Sequence, residues 1–257
     1  MLKSLWTGAS GMNAQMHKMD NIADNLANVN TNGYKKGNVS FADLVYQQKD
    51  ETNMPVSYAR LVPSYGSGVK VSSVTKVFLQ GNLNETGRSL DLAIEGKGFF
   101  AVKLPGGEMG YTRDGSFNVD SDGRLVNNFG LYLNDDIEVP EDAAKLRITP
   151  QGIVSAIDNQ GNEEEIGNMN LYKVKNLAGL KAVGRNLYQT TEASGAAEEA
   201  SPGEEVGYLR QGFLESSNVD LAEEMVNMIS AQRAYEISSR TVKTADEMWG
   251  IANNIRR

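Results

Sequence analysis

Cysteine is absent from the 257 residues and histidine occurs once, at His17. Without thiols there is no disulfide frame, no cysteine nucleophile and no cysteine-based metal site. Long apolar runs are missing too. None approaches the about 20 residues that a bilayer-spanning helix needs, so no membrane insertion is expected. Basic residues are outnumbered, 25 Lys and Arg against 33 Asp and Glu for a net charge of −8. They cluster no further than the pairs Lys35-Lys36 and Arg256-Arg257. A nucleic acid or an anionic membrane surface demands a positive footprint, so neither is expected as a partner. The opening Met1-Leu2-Lys3-Ser4-Leu5-Trp6 lacks a charged leader followed by an apolar block, and no cleaved signal peptide is expected. These signals alone read as cytoplasmic, and export by a non-cleaving route would leave them unchanged.

Catalytic constellations are equally scarce. His17 stands on an amphipathic segment with no orienting partner in sight, and a general base needs one. Glu163-Glu164-Glu165 and Asp135-Asp136 lie beside turn residues in an acidic chain and read as solvated charge. Gly81, Gly87, Gly96 and Gly98 fit neither GxGxxG nor GxxxxGK[ST], and Gly96-Lys97-Gly98 reads as the tip of a hairpin. No GxSxG elbow occurs. The expectation is a protein with no catalytic residues, no metal and no cofactor.

What the chain does have is a helix at each end. From Leu2, the residues Leu5, Ala9, Met12, Met16, Met19, Ala23 and Leu26 recur at spacings of three and four, a heptad held without a skip. The closing segment carries one line through Leu221, Met225, Met228, Tyr235, Val242 and Trp249. A second line runs beside it through Ala231, Ala234, Ser238, Thr241, Ala245, Met248, Ala252 and Ile255, small-residued in its first half. Two contact lines on one helix call for more than one neighbour. The residues themselves leave two arrangements open: a hairpin covering one face of a central sheet, or helices that pack between subunits.

The first helix is expected over about 2–30, stopped by Asn28, Asn30, Thr31 and Asn32 and closed by a left-handed Gly33. The second follows Ser216-Ser217-Asn218, with Asp220 and Glu223 at capping-box spacing and Arg256-Arg257 at its far end. Between them, residues 34–68 read as an extended connector with one helical turn at Phe41–Tyr46, broken by Pro55, Pro63, Gly66 and Gly68. From Val69, short β-type runs alternate with turn signals: 69–74, 77–79, 90–94, 99–104, 117–119, 131–133, 146–148, 153–157 and 170–174. That texture indicates an antiparallel barrel or sandwich. The overall expectation is α+β: an N-terminal helix (1–33), the connector (34–68), a central β domain (69–190), a polar return linker (191–217) and a C-terminal helix (218–257).

One cluster resists a structural account from composition alone. Residues 20–35 hold five asparagines at a helix end, where asparagine is a poor helix former. Asn21 and Asn25 fall on one stripe, able to bond across a helix interface. The set Asn25, Leu26, Ala27, Asn28, Thr31, Gly33, Tyr34 and Lys35 resembles the N-terminal signature of the flagellar rod, hook and hook-associated axial proteins, roughly N-x-L-A-N-x-x-T-x-G-[YF]-K. Asp24 is a departure from it. Ser217 to Glu236 resembles the C-terminal signature, and Asp91 to Phe100 with Tyr111 to Phe117 resembles the central motifs. Within that group, length and the segments Ala231–Ile237 and Thr244–Met248 favour a rod subunit of the distal kind over the similar-sized rod protein and over hook proteins, which carry a further outer domain.

The resemblance implies a structural subunit, exported unfolded without a cleaved signal, that self-assembles into a hollow helical tube transmitting motor torque. Its expected partners are copies of itself, neighbouring rod and hook proteins, surrounding basal-body rings and the flagellar export apparatus. The residues expected to carry assembly are Leu2, Leu5, Met12, Met16, Met19, Leu26, Met225, Met228, Ile229, Tyr235, Val242, Met248 and Trp249. Burying a Leu, Ile or Met is worth about 1.5–3 kcal/mol, while ordering each residue's backbone costs about 1–2 kcal/mol. A lone helix therefore does not repay its own ordering, and the ends are expected to be protease-labile in dilute monomer around a core near 69–190.

Overall fold

The computed structural model describes residues 2–45, 47–48, 64–135, 137–140, 143–159 and 161–255. Residues 46 and 49–63 of the expected 34–68 connector, Asp136, Arg256 and Arg257 lie outside them, as do the side chains of Leu2 and Ile255. The architecture is α+β: two long helices, one near each end, and antiparallel strands between.

The chain divides into two compact units. The first holds residues 1–27, 37–75 and 220–257, and the second holds 28–36 and 76–219. The chain therefore passes between them four times.

In the first unit α1 (Leu2–Ala27) packs along α2 (Leu221–Ile255) and against β1 (Gly37–Asp43), which pairs with β4 (Val69–Lys76). A short pair, β2 (Gln47–Gln48) and β3 (Ser64–Tyr65), completes it. Three expectations change here. α1 ends at Ala27, short of residue 30, because Asn28 to Asn30 turn. No helical turn forms over the described part of 41–46; β1 runs through it, as its β-branched and aromatic residues allow. The run at 69–76 serves this unit and not the central β domain, since its pairing partner is β1. α2 begins as its sequence requires: Asp220 Oδ1 accepts from the amides of Ala222 (2.8 Å) and Glu223 (3.1 Å), satisfying two orphan donors.

The second unit contains β5 (Leu83–Glu85), β6 (Leu92–Glu95), β7 (Phe100–Lys103), β8 (Met109–Thr112), β9 (Phe117–Val119), β10 (Leu125–Asn127), β11 (Ala143–Ile148), β12 (Ile153–Asp158), β13 (Glu163–Asn168), β14 (Leu171–Lys173), β15 (Lys181–Gly184), β16 (Leu187–Gln189), β17 (Glu198–Ala200), β18 (Tyr208–Gln211) and β19 (Phe213–Glu215). They form small open sheets. The largest has the order β15-β16-β8-β7, another is β11-β12-β13, and β6 and β5 pair with the late strands β18 and β19. Those last pairings bring residues 83–95 and 208–215 together across more than a hundred positions, Leu209 opposite Ile94 and Leu214 opposite Asn84.

The expected strand Val77–Leu79 does not form, and the expected return linker 191–217 contains three strands, β17, β18 and β19. Gly96-Lys97-Gly98 is not a hairpin tip either. β6 and β7 pair with different strands, and Gly98 N donates to Val206 O at 2.7 Å while Gly96 abuts Gly207. The Glu163–Glu165 run is the exposed edge strand β13, where charge discourages edge-to-edge pairing.

The core follows from strand alternation. On β7, Phe100 and Val102 face one cluster, with Phe117 edge-on to Phe100 at 5.2 Å between ring centroids. The flanking Phe99 and Ala101 face another, with Tyr111, Tyr172 and Tyr188. The strand is buried on both sides, so its sequence reads as a continuous apolar run.

Candidate functional site

The residues singled out in the sequence fall into two places, one in each unit. In the first unit the helix pair is built on small residues rather than on the heptad of long ones. A side chain at Gly8 would meet Val242 Cγ2 at 2.7 Å, and one at Gly11 would meet Ser238 Oγ at 3.3 Å. Ala14, Ile22, Ala231 and Ala245 are buried. Leu5, Met12, Met19, Leu26, Met228 and Val242 are only half-buried. Met16, Met225, Ile229, Tyr235, Met248 and Trp249 are exposed, and Trp6 is 74% exposed.

Asn25 closes this unit. Its amide reaches both backbone groups of Gly37, accepting from the N–H at 2.8 Å and donating to the carbonyl at 3.0 Å, and it donates to Glu224 Oε2 at 3.3 Å. Asn25 and Glu224 are both buried. One asparagine thus ties α1 to β1 and to the first turn of α2. Asn21 packs on Gly37, where a Cβ would lie 2.4 Å from its Nδ2.

The rest of the motif belongs to the second unit. Thr31 Oγ1 donates to Asn28 Oδ1 at 3.2 Å and organises the turn. Gly33 is left-handed (φ 68°), but the helix has already ended six residues earlier. Its task is different from helix closure: its N–H donates to Glu215 O at 2.8 Å, and its α-carbon presses on the Arg113–Asp114 peptide, leaving no room for a side chain. Tyr34 is buried under Lys76, whose Nζ donates to the phenol oxygen at 3.1 Å.

Lys35 is fully buried. Its Nζ donates to Glu215 Oε1 at 2.5 Å and to Leu79 O at 2.7 Å. The other Glu215 oxygen takes Arg113 Nη1 at 3.3 Å, and Arg113 Nη2 donates to Gly96 O at 2.7 Å. Gly81 N donates to Glu215 Oε1 at 2.8 Å. One buried carboxylate serves two buried cations. Burial lowers the Lys35 pKa, opposed by Glu215 and reinforced by the Arg113 charge. Burial likewise lowers that of Arg113, against Glu215, yet a guanidinium stays protonated in proteins.

Glu215 was not singled out in the sequence and had no signal there, since no period connects residues 35, 113 and 215. Arg113 was visible only as a member of the Tyr111–Phe117 motif. Among the described residues, no group of three or more His, Asp or Glu could hold a metal ion, and no helix is long and apolar enough to cross a membrane. His17 is exposed on α1.

Comparisons with known proteins match these segments. Residues 5–35 match the family model for flagella basal body rod proteins, 93–156 that for the flagellar hook protein FlgE/F/G D1 domain, and 210–255 that for the flagellar basal body rod FlgEFG protein C-terminal region. The flagellar basal-body rod protein FlgG of Borreliella burgdorferi is 45% identical over the whole of both chains. That of Bacillus subtilis is 37% identical, again over both whole chains. The flagellar hook-basal body complex protein FlhP of Bacillus subtilis is 32% identical over the same extent. With its helix ends, its central strands and its full length all matched, the chain belongs to the FlgG family of flagellar basal-body rod proteins, structural subunits of the axial rod.

Proposed function

We propose that the chain builds the distal rod by stacking its helix pairs between subunits into a coiled-coil-like inner layer of a hollow helical tube, with the second unit as a barrel- or sandwich-like outer wall. The observation that carries this reading is the exposure of Met225, Val226, Ile229, Ile237 and Trp249 along α2 and of Trp6 and Met16 on α1. Large apolar side chains in such number on one helix pair mark an interaction surface. The small-residue line is consumed within the chain, which leaves the long side chains for neighbours. Heterologous contacts that do not close into a ring extend into a filament.

On this reading the protein carries torque and no catalysis. It sits in the extracytoplasmic part of the basal body, having been exported without a cleaved signal through the flagellar export apparatus. It joins rod and hook proteins at its ends and runs within the basal-body rings. The helix pair buries few large side chains of its own, so it is expected to order fully only on assembly, as suits passage through a narrow channel.

Electron microscopy of the concentrated full chain tests this. Wild type is expected to give tubes. Ile229→Asp and Met225→Asp should abolish them while leaving the thermal transition of the second unit unchanged. Tubes formed by both variants would overturn the reading.

A further inference from the structure

We propose that Lys35 and Glu215 are positioning residues whose buried pairing, shared with Arg113, clamps the segment leaving α1 to the segment entering α2, so that the chain leaves and rejoins the second unit at fixed points. The inference rests on the rod reading only for the purpose of the clamp, which is ordered assembly.

Three stretches converge on the cluster: 33–36, 76–82 and 215–218. Lys35 comes from the first and Glu215 from the third. The second contributes Leu79 O to Lys35 and Gly81 N to Glu215. Backbone and side-chain bonds then stitch the same three stretches together. Gly33 N donates to Glu215 O and Val77 N to Lys36 O, at 2.8 and 2.9 Å. Asn218 accepts from Lys36 N at 2.8 Å and donates to Val77 O at 2.8 Å and Leu79 O at 3.1 Å. Ser216 N donates to Asn82 O at 2.8 Å. Three of the four passages between units, after residues 36, 75 and 219, leave from these stretches, and the fourth enters the turn that Gly33 completes.

Nothing in the hydrophobic core requires a charge here. An apolar trio of similar volume is often as stable as a buried ion pair, whereas removing one partner strands a buried charge. What the ion pair adds is uniqueness. Lys35 reaches one carboxylate, and Glu215 in turn receives three donors, so the stretches cannot slip relative to one another without leaving charge unpaired. Arg113 donates its hydrogen bonds to Glu215 and Gly96 and lies over the Phe99 ring, 5.0 Å from its centroid.

Hydrogen exchange on the dilute full chain tests the clamp without requiring assembly. Lys35→Met is expected to speed exchange of the Gly33, Lys36, Gly81 and Ser216 amides at least roughly tenfold, while β7 and β8 amides keep their protection. Glu215→Gln should do the same and provides the test if Lys35→Met does not fold. In the Lys35→Met/Glu215→Gln double variant the two effects should fail to add, because each change removes the same pairing. Val154→Ala, a core change in β12, is the control and should leave the four amides as they were. Spin labels at Asn30→Cys and Glu85→Cys, introduced into a chain with no native cysteine, should show a broadened distance distribution in Lys35→Met and not in Val154→Ala.

Unchanged junction amides, or acceleration in step with β7 and β8, would overturn the clamp. Regular tubes from a variant whose junction has loosened would overturn its role in assembly. Absence of tubes from wild type would count against the rod reading and leave the exchange result standing.

Discussion

Gly33→Ala separates two accounts of the same glycine. If residue 33 merely ends a helix, any residue tolerant of the left-handed region would serve. In the structure it does more: a Cβ there would lie 2.5 Å from Asp114 N, 2.7 Å from Arg113 C and 2.9 Å from Asp114 Cα, all backbone atoms that cannot rotate away. Holding an alanine at φ 68° costs about 1–2 kcal/mol, less about 0.4–1 kcal/mol returned through the unfolded chain. Forcing apart packed backbone adds about 1–3 kcal/mol. The displacement also pulls the Gly33 amide from Glu215 O, worth about 0.5–1.5 kcal/mol. The expected loss is therefore roughly 1.5–6 kcal/mol. Gly33→Asn removes most of the dihedral cost, because asparagine accepts the left-handed region, and leaves the collision in place. It should still cost roughly 0.5–4 kcal/mol from the collision and the lost hydrogen bond, less the unfolded-chain return. Urea unfolding of the full chain, followed by near-ultraviolet circular dichroism of the aromatic core, measures both. A Gly33→Asn variant within about 0.5 kcal/mol of wild type would refute the packing argument and restore the helix-closing one.

Other consequences are independent of this one. Asn25→Ala strands both backbone groups of Gly37 and the Glu224 carboxylate in a buried site, which costs about 1–3 kcal/mol for each group left without a partner. In assembled protein the Gly37 amide should therefore lose protection by well over tenfold, and an unchanged exchange rate would contradict the role given to Asn25. Asn25→Asp should be as damaging at neutral pH, since the introduced carboxylate faces Gly37 O and Glu224, and should recover stability as acid protonates it. At the alkaline end, burial pushes the Tyr172 phenol up to about 12, with Asn134 opposing, and raises Tyr188 further by burial alone. Both folded values lie above the unfolded value of about 10, so the fold holds the protons more tightly. The resulting stability is fully present below about pH 10 and is lost as pH rises through the folded values. Ultraviolet titration should show these two phenolates appearing late and together with loss of the near-ultraviolet signal; ionisation of all tyrosines near pH 10 in folded protein would contradict it.

The helices were legible because a heptad needs only local spacing, and Asp220 marks its own helix start. The central strands at 92–95, 100–103, 117–119 and 153–158 were legible for the same reason, as short β-type runs between turns. What escaped was every pairing that depends on distance along the chain. β18 and β19 are unremarkable in sequence, and they are strands because β6 and β5, over a hundred residues earlier, offer open edges. The helix seam shows a subtler loss. Periodicity located the faces of α1 and α2 but could not rank them, and the chain chose the line of Gly8, Gly11, Ala231 and Ala245, where backbones approach closest, for its own hairpin.

That choice ties the asparagine-rich motif to both units at once. Asn25 and Lys35 stand ten residues apart, and each ends in a buried carboxylate from the far end of the chain, Glu224 for one and Glu215 for the other. The two acids flank the start of α2, nine residues apart. A short sequence at one end therefore reads a short sequence at the other twice, once within each unit. Each carboxylate gains its full set of donors only when both ends of the chain are present. A chain cut before residue 215 lacks Glu215 and Glu224, so it leaves Lys35 and Asn25 without these partners, and full burial of the motif waits for the last 43 residues.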